Sequence, residues 1–321
     1  MKDIFRTVFD IAPQKIKINL QESYITTVGS CFADNIGNKL LQNKFKVLAN
    51  PFGTLFNPIS IADSLLKTIR QENIDLSRLV YDGNLYRHYD LHTEMAANTQ
   101  TELIENWQNI ITNPHWEKQN ILIITFGTAW VYTLIADGKI VANCQKQPAQ
   151  QFQKRLLTVE EITQKFDQLY NELKNRHLPQ IILTVSPVRH LKDTMPLNSL
   201  SKSLLIVACH QITDKYPDIS YFPAYEIQND DLRDYRFYGE DMLHPTEVAI
   251  EYIWNKFTDT YFDKPAKEWL RKWNDIYKAL QHKITHPHTR QAKVFINQLT
   301  QKLEAVNEVD VTAELEKLRT L

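Results

Sequence analysis

The amino-acid sequence predicts an α/β fold: a three-layer α/β/α sandwich around a central parallel sheet, with a helical extension at its C-terminal end. Two observations carry this. Short β-prone runs alternate with helical patterns over most of the chain, and from about residue 264 onward only charged helical segments follow. Strands and helices in strict alternation imply parallel β-α-β units with right-handed crossovers.

Tyr24 to Gly29 (YITTVG) is the first strand and stops at a glycine; Ala33 to Phe45 then sets Ile36, Leu40 and Leu41 at helical spacing. Ile121 to Phe126 (ILIITF) is a continuous apolar run, too short for a buried helix and typical of a strand covered on both faces, and Gly127 ends it. Ile181 to Val185 (IILTV) repeats the pattern. Thr158 with Glu161 makes a capping box, opening a helix whose apolar stripe runs to about Leu173. Ser199 to Tyr216 is the next helix, Ile219 to Phe222 the last strand, and Thr246 to Phe262 the helix after it, with Pro245 at its entrance. Residues 79–92, around Asp82-Gly83, and 130–143, around Asp137-Gly138, break the alternation and read as hairpin insertions. The expected division is 1–263 for the sandwich and 264–321 for the helical extension, whose Trp269, Trp273, Ile276, Leu280, Phe295 and Leu299 need a surface to cover.

Lys and Arg number 37 against 38 Asp and Glu, a net charge of -1. No overall field exists to hold a polyanion, so neither nucleic acid nor a membrane is an expected partner. Cys31, Cys144 and Cys209 form no C-x-x-C pair, which argues against a disulfide framework and a thiolate zinc site. The N-terminal stretch lacks the apolar core of a leader and no run of about 18 apolar residues follows, which points to a cytoplasmic protein. No motif calls for a cofactor. His88 and His92 stand four apart between β-prone flanks rather than on a helix, so no metal site is expected. The sequence does not specify an oligomeric state.

In an open parallel sheet, ligands bind beyond the carboxyl ends of the strands. The first such turn is Gly29-Ser30-Cys31-Phe32-Ala33, which sets a hydroxyl and a thiol at a helix start. The partial positive charge and free N–H groups there lower a thiol pKa and stabilise an oxyanion. A capping Ser30 and a buried Cys31 are the plainer reading of the same residues. Ahead of the last sheet helix stands Asp241-Met242-Leu243-His244-Pro245. An Asp three residues before a His can fix the imidazole tautomer so that Nε2 takes a proton, although a capping Asp and a surface His give the same spacing. Gly53, in Asn50-Pro51-Phe52-Gly53-Thr54, and Gly127-Thr128 follow short apolar runs, where a backbone can approach a ligand closely. Arg189 and His190 fall on the rim of the same cleft, and an arginine there suits a carboxylate or phosphate. Arg233 to Arg236, among Asp230, Asp231 and Asp241, is expected to form an internal salt-bridge network.

Taken in order, these turns resemble the GSCFA family, named for the pentapeptide that stands here as Gly29 to Ala33, and beyond it the SGNH or GDSL hydrolase superfamily. The resemblance covers roughly residues 20 to 262 and includes FGTAWVY (Phe126 to Tyr132), TVSPVRH (Thr184 to His190), and YFPAYEI followed by LRDYRFYGEDMLHP (Tyr221 to Pro245). It implies a flavodoxin-like sandwich with a nucleophile after strand one and a triad completed by Asp241 and His244. Ungapped alignment puts the nucleophile at Cys31, with Ser30 in place of the superfamily's Asp; Ser30 takes the role if the turn is displaced by one residue. The implied oxyanion hole uses the N–H groups of Cys31 and Gly53. The superfamily's asparagine after strand three is replaced by Gly127-Thr128-Ala129, so that either the Thr128 hydroxyl substitutes or the third donor is absent. The implied activity is hydrolysis of a small-molecule or carbohydrate ester through a thioacyl- or acyl-enzyme. O-acyl transfer to a hydroxyl acceptor and a non-catalytic binding role are the alternatives.

Overall fold

In the computed structural model, which describes residues 7–8, 10–190, 192, 194–286 and 288–320, five parallel strands form the central sheet. Residues 1–6 and 9 of the stretch read above for a leader lie outside the described residues. Strand β1 (Tyr24–Gly29) leads through helix α1 (Cys31–Gln42) to β2 (Lys46–Ala49) and α2 (Pro58–Arg70). The antiparallel hairpin of β3 (Leu79–Tyr81) and β4 (Tyr86–His88) is followed by α3 (Gln100–Ile111), α4 (His115–Lys118) and β5 (Ile121–Phe126). Next, β6 (Trp130–Leu134) pairs antiparallel with both β7 (Ile140–Val141) and β8 (Phe152–Leu156). The sandwich is completed by α5 (Val159–Arg176), β9 (Gln180–Val185), α6 (Met195–Lys215), β10 (Ile219–Phe222), the short α7 (Ala224–Glu226) and α8 (Glu247–Tyr261). Helices α9 (Lys264–Gln281), α10 (Arg290–Glu304) and α11 (Thr312–Arg319) form the extension.

The strand order β10-β9-β5-β1-β2 places β2 on one side of β1 and the later strands on the other. This is the flavodoxin-like order, and its direction reverses between β1 and β5, where such sheets bind ligands. The α/β sandwich expected from the sequence is therefore present. Side chains alternate between two covered faces, which is why the strands read as unbroken apolar runs. Ile25, Ile123 and Ile182 join Phe32, Ile36, Trp254 and Phe257 of α1 and α8. Val28, Leu122, Ile124 and Leu183 join Leu65, Phe166 and Leu205 of α2, α5 and α6.

The sequence reading passed over α2, α3 and β8. Asn57 caps α2 by accepting the Ser60 N–H, with Pro58 in the first turn, and Thr99 caps α3. Both signals were in the sequence. The extension packs on the end of α1: Trp269 Nε1 donates to the Asn43 carbonyl (2.8 Å) and Trp273 Nε1 to the Gln42 carbonyl (2.7 Å). These two indoles stack on each other and satisfy carbonyls that a helix end leaves orphaned.

Of the glycines, Gly29 has the least room for a side chain. Its φ is +140°, and a Cβ there would lie 2.1 Å from the Thr125 carbonyl oxygen. Gly29→Ala is expected to destabilise the protein by about 3 kcal/mol or more, through backbone strain and collision with β5. A urea melt with an unchanged midpoint would contradict this close approach.

Candidate active site

The turn after β1 is held by an asparagine that the sequence reading left without a role. Gly29 N–H donates to Asn50 Oδ1 (2.8 Å), and Asn50 Nδ2 donates back to the Gly29 carbonyl (3.2 Å) and to Asp34 Oδ1 (2.8 Å). Thr54 Oγ1 donates to the other oxygen of Asp34 (3.2 Å). Asn50 itself takes a left-handed φ of 42°, which asparagine tolerates better than most residues. The buckle fixes where α1 begins, and so where Ser30 and Cys31 point.

Ser30 is the N-cap of α1, 1% exposed, with Oγ accepting the Phe32 N–H at 3.4 Å. Cys31, the first helical residue, is half-buried. Burial, then the Asp34 carboxylate, and finally Glu94 push its thiol above the ordinary value of 9.0. The helix N-terminus was expected to lower it. Desolvation and two nearby carboxylates outweigh that partial charge, so the resting thiol is protonated.

Across the switch point, Gly127 lies against Ser30: a Cβ on it would stand 3.1 Å from the Ser30 Cβ. The N–H groups of Gly127 and Thr128 both donate to the Phe56 carbonyl, at 2.8 and 3.0 Å. Thr128 Oγ1 pairs with Ser201 Oγ (3.0 Å) and accepts the Trp130 N–H (3.1 Å). The Gly53 N–H closes a turn on the Asn50 carbonyl (2.8 Å). The donors expected of Gly53, Gly127 and Thr128 are thus engaged in building the loops rather than offered to a ligand. The amide of Cys31 is different: Phe32 and Ala33 donate to Ser30, whereas Cys31 N–H donates to no other described residue. It is a helix-end donor without an acceptor among the described residues.

Phe56 also carries the rim. Its ring lies between His190 (5.6 Å between centroids, 87°) and His92 (6.5 Å, 72°). His190 N–H is held by Asn198 Oδ1 (3.0 Å). His92 Nδ1 lies 3.2 Å from Glu94, and the left-handed Gly53 (φ 70°) leaves it room, since a Cβ there would come within 2.6 Å of the His92 Cβ. The sequence reading weighed His92 only as a metal partner of His88. His88 instead is buried, with Nε2 2.8 Å from the Asp75 carbonyl oxygen. Among the described residues no three His, Cys, Asp or Glu side chains converge as metal ligands would, and no helix is long and apolar enough to cross a membrane.

Asp241 and His244 form a dyad. His244 Nδ1 lies 2.6 Å from Asp241 Oδ2, while Oδ1 accepts the N–H groups of Leu243 (2.9 Å) and His244 (3.0 Å). The imidazole, with the two backbone donors behind it, pushes the Asp241 carboxyl down to about 2. Met242, at φ 58°, makes the tight bend that folds the loop around this carboxylate. The dyad lies in the loop leading into α8, which packs beside α1 and is tied to it by Lys39 and Glu251 (2.6 Å). Both side chains are about half exposed, and no hydrogen bond joins His244 to Ser30 or Cys31. Arg189 N–H donates to the Leu243 carbonyl (3.2 Å), seaming the β9 loop to the dyad loop.

Among the described residues, Arg233 and Arg236 do not form the salt-bridge network expected around them. Arg236 reaches only Asp234, at 3.9 Å, Asp241 serves His244, and Arg233 pairs with no described carboxylate. Chain proximity of opposite charges is a weak guide where a loop turns its side chains outward.

Behind the site runs a buried polar stripe of α6 that sequence reasoning missed. Asn198, Ser201 and Lys202 are each at most 3% exposed. Asn198 holds His190; Ser201 Oγ accepts the Ala129 N–H (2.8 Å); Lys202 Nζ donates to the carbonyls of Gly127 (2.6 Å) and Ser186 (2.7 Å). Three residues of one helix thus anchor the loops after β5 and β9. Desolvation pushes the Lys202 amine down to about 7. A neutral amine has two N–H groups for two carbonyls, whereas an ammonium would bury a third without an acceptor among them.

Comparison with known families rests on both parts of the chain. The model of the GSCFA family matches residues 24–257. The chain belongs to the GSCFA family. A second model, described as the GSCFA domain protein C-terminal domain, matches residues 273–321, within the helical extension. No curated protein matches the chain. The GSCFA pentapeptide is thus the turn at the switch point, and Asn50, Asp34 and Gly127 are the residues that hold it in place.

Proposed function

We propose that this GSCFA chain is an SGNH-like acyl-ester hydrolase, with Cys31 as nucleophile, His244 as base and Asp241 as the residue that orients it. The observation that carries the reading is the preformed dyad, His244 Nδ1 at 2.6 Å from Asp241, in the loop that leads into the helix beside α1. With Nδ1 held by a carboxylate, Nε2 is the nitrogen left to take a proton.

The raised thiol pKa favours proton transfer in concert with attack. Little thiolate exists beforehand, so His244 takes the thiol proton as the Cys31 Sγ–carbonyl bond forms, and the two must meet when substrate is bound. The Cys31 N–H faces the developing oxyanion, the alcohol leaves with the proton from His244, and a thioacyl-enzyme results. His244 then deprotonates a water that releases the acid and restores the thiol. Ser30 fits the nucleophile's role less well, because it is closed in and its Oγ caps the helix. The shortage of oxyanion donors gives weight to a second reading, transfer of the acyl group to a hydroxyl acceptor, which would show as product formation that depends on added acceptor.

Hydrolysis of a short activated aryl ester tests the assignment. Cys31→Ala is expected to lower it by about 10³-fold or more, and Ser30→Ala by far less. Full activity retained in both variants would remove the nucleophile from this turn.

A further inference from the structure

Beside the dyad lies a pocket of about 210 Å³ that no step above uses. Arg189 and Arg233 line it with Tyr235, Tyr238, Gln228 and Asn229. The Arg189 guanidinium lies 3.8 Å over the Tyr238 ring and 5.4 Å from that of Tyr235. A guanidinium stacked on a ring keeps its N–H groups in its own plane, free to grip a planar or tetrahedral anion side-on. Neither Arg189 nor Arg233 pairs with any described carboxylate. Asp234 is the one acid on the lining, and its Oδ1 is taken up by the Arg236 N–H (2.9 Å).

The backbone is shaped for this. Residues Ile227–Leu232 form a π-helical turn, a rare element that recurs at functional sites, and Arg233 leaves it in a left-handed conformation (φ 33°). Gln228 is 0% exposed; its Nε2 donates to the Phe237 carbonyl (3.3 Å), and its Oε1 has no donor. An unpaired buried acceptor on a pocket lined by two cations without a carboxylate partner is costly in the empty protein and satisfied by a ligand that brings a donor.

We propose that this pocket binds an anionic group, carboxylate or phosphate, and, resting on the hydrolase reading above, that the substrate is an ester carrying such a group on the part away from the scissile bond. Arg189 and Arg233 hold the anion, the tyrosines pack against the adjoining carbons, and Gln228 Oε1 accepts from a hydroxyl or amide of the same molecule. The seam from Arg189 N–H to the Leu243 carbonyl sets this grip next to His244.

The test is binding, which needs no turnover. Calorimetric titration of the full chain at fixed ionic strength compares phenyl phosphate, phenylacetate and neutral phenylacetamide, with Arg189→Gln and Arg233→Gln beside the native protein. At least one anion is expected to bind while the amide does not, and each variant is expected to weaken that binding about tenfold or more. Preference between the two anions names the group that the site takes. Equal binding of the amide, or anion affinity unchanged in both variants, overturns the proposal. Anion binding by a protein that hydrolyses no ester supports the pocket and removes the hydrolase; hydrolysis without anion binding does the reverse.

Discussion

Lys202→Met leaves the carbonyls of Gly127 and Ser186 without a donor in a dry interior, and the resulting loss of stability, about 2–4 kcal/mol where the lysine is neutral in both the folded and the unfolded chain, shrinks as the pH falls toward 7. Methionine fills nearly the same volume, so the loss reports hydrogen bonds rather than a cavity. The pH dependence is a sharper signature. The folded protein releases this proton near pH 7, whereas the unfolded chain keeps it to the ordinary value of 10.5. Between those values the unfolded state binds more protons, so the contribution rises with pH, by at most about 1.4 kcal/mol per pH unit. It is complete above the window and smallest below pH 7. The raised thiols of Cys31, Cys144 and Cys209 act in the opposite sense near and above 9, so the range from pH 7 to 8.5 isolates the lysine. Urea denaturation is expected to show native stability climbing across that range and a flatter profile for Lys202→Met. Identical slopes would mean that the amine stays charged in the folded protein.

His244→Ala is expected to cut ester hydrolysis by about 10²- to 10⁴-fold, the usual contribution of a positioned base. The residual activity should change its pH dependence. Without a base, only pre-formed thiolate reacts, and the Cys31 thiol is pushed above 9.0. The remaining rate should climb about tenfold per pH unit through neutrality, with no plateau below pH 9. His92→Ala is the control, since His92 sits on the rim near Asp34 and pairs with Glu94 rather than with a buried acid. If His92→Ala abolished activity and His244→Ala did not, the base would belong to the other histidine.

The parts of the fold legible in the sequence are those whose signal is local. ILIITF could be read as a strand covered on both faces because both of its faces meet helices, and Thr158 with Glu161 forms the capping box that its spacing announces. The pairing of Asp241 with His244 was legible for the same reason, since three residues of loop suffice to bring the groups together. What escaped depends on contacts between distant segments. Asn50 holds Gly29 from 21 residues away, and Phe56 takes the amides of Gly127 and Thr128. Thr128 read as a candidate donor to substrate because nothing in its neighbourhood revealed Ser201.

Helix α6 shows a different failure. Its buried stripe runs through Asn198, Ser201, Lys202, Leu205, Ala208, Cys209 and Ile212 at regular helical spacing, but its first half is polar. A search for apolar periodicity drops those positions, although the spacing itself carries the signal. For Cys31 both the helix terminus and burial were readable from the sequence, but not which of them prevails; the approach of Glu94 was not readable.

One measurement bears most directly on the central claim. The native chain and His244→Ala are treated with a short activated acyl ester, and the products are read by intact mass and peptide mapping. An acyl adduct on Cys31 in the native chain, absent or much slower in the variant, is the expected result. An adduct on Ser30, or labelling of Cys31 that is indifferent to His244, would contradict the account.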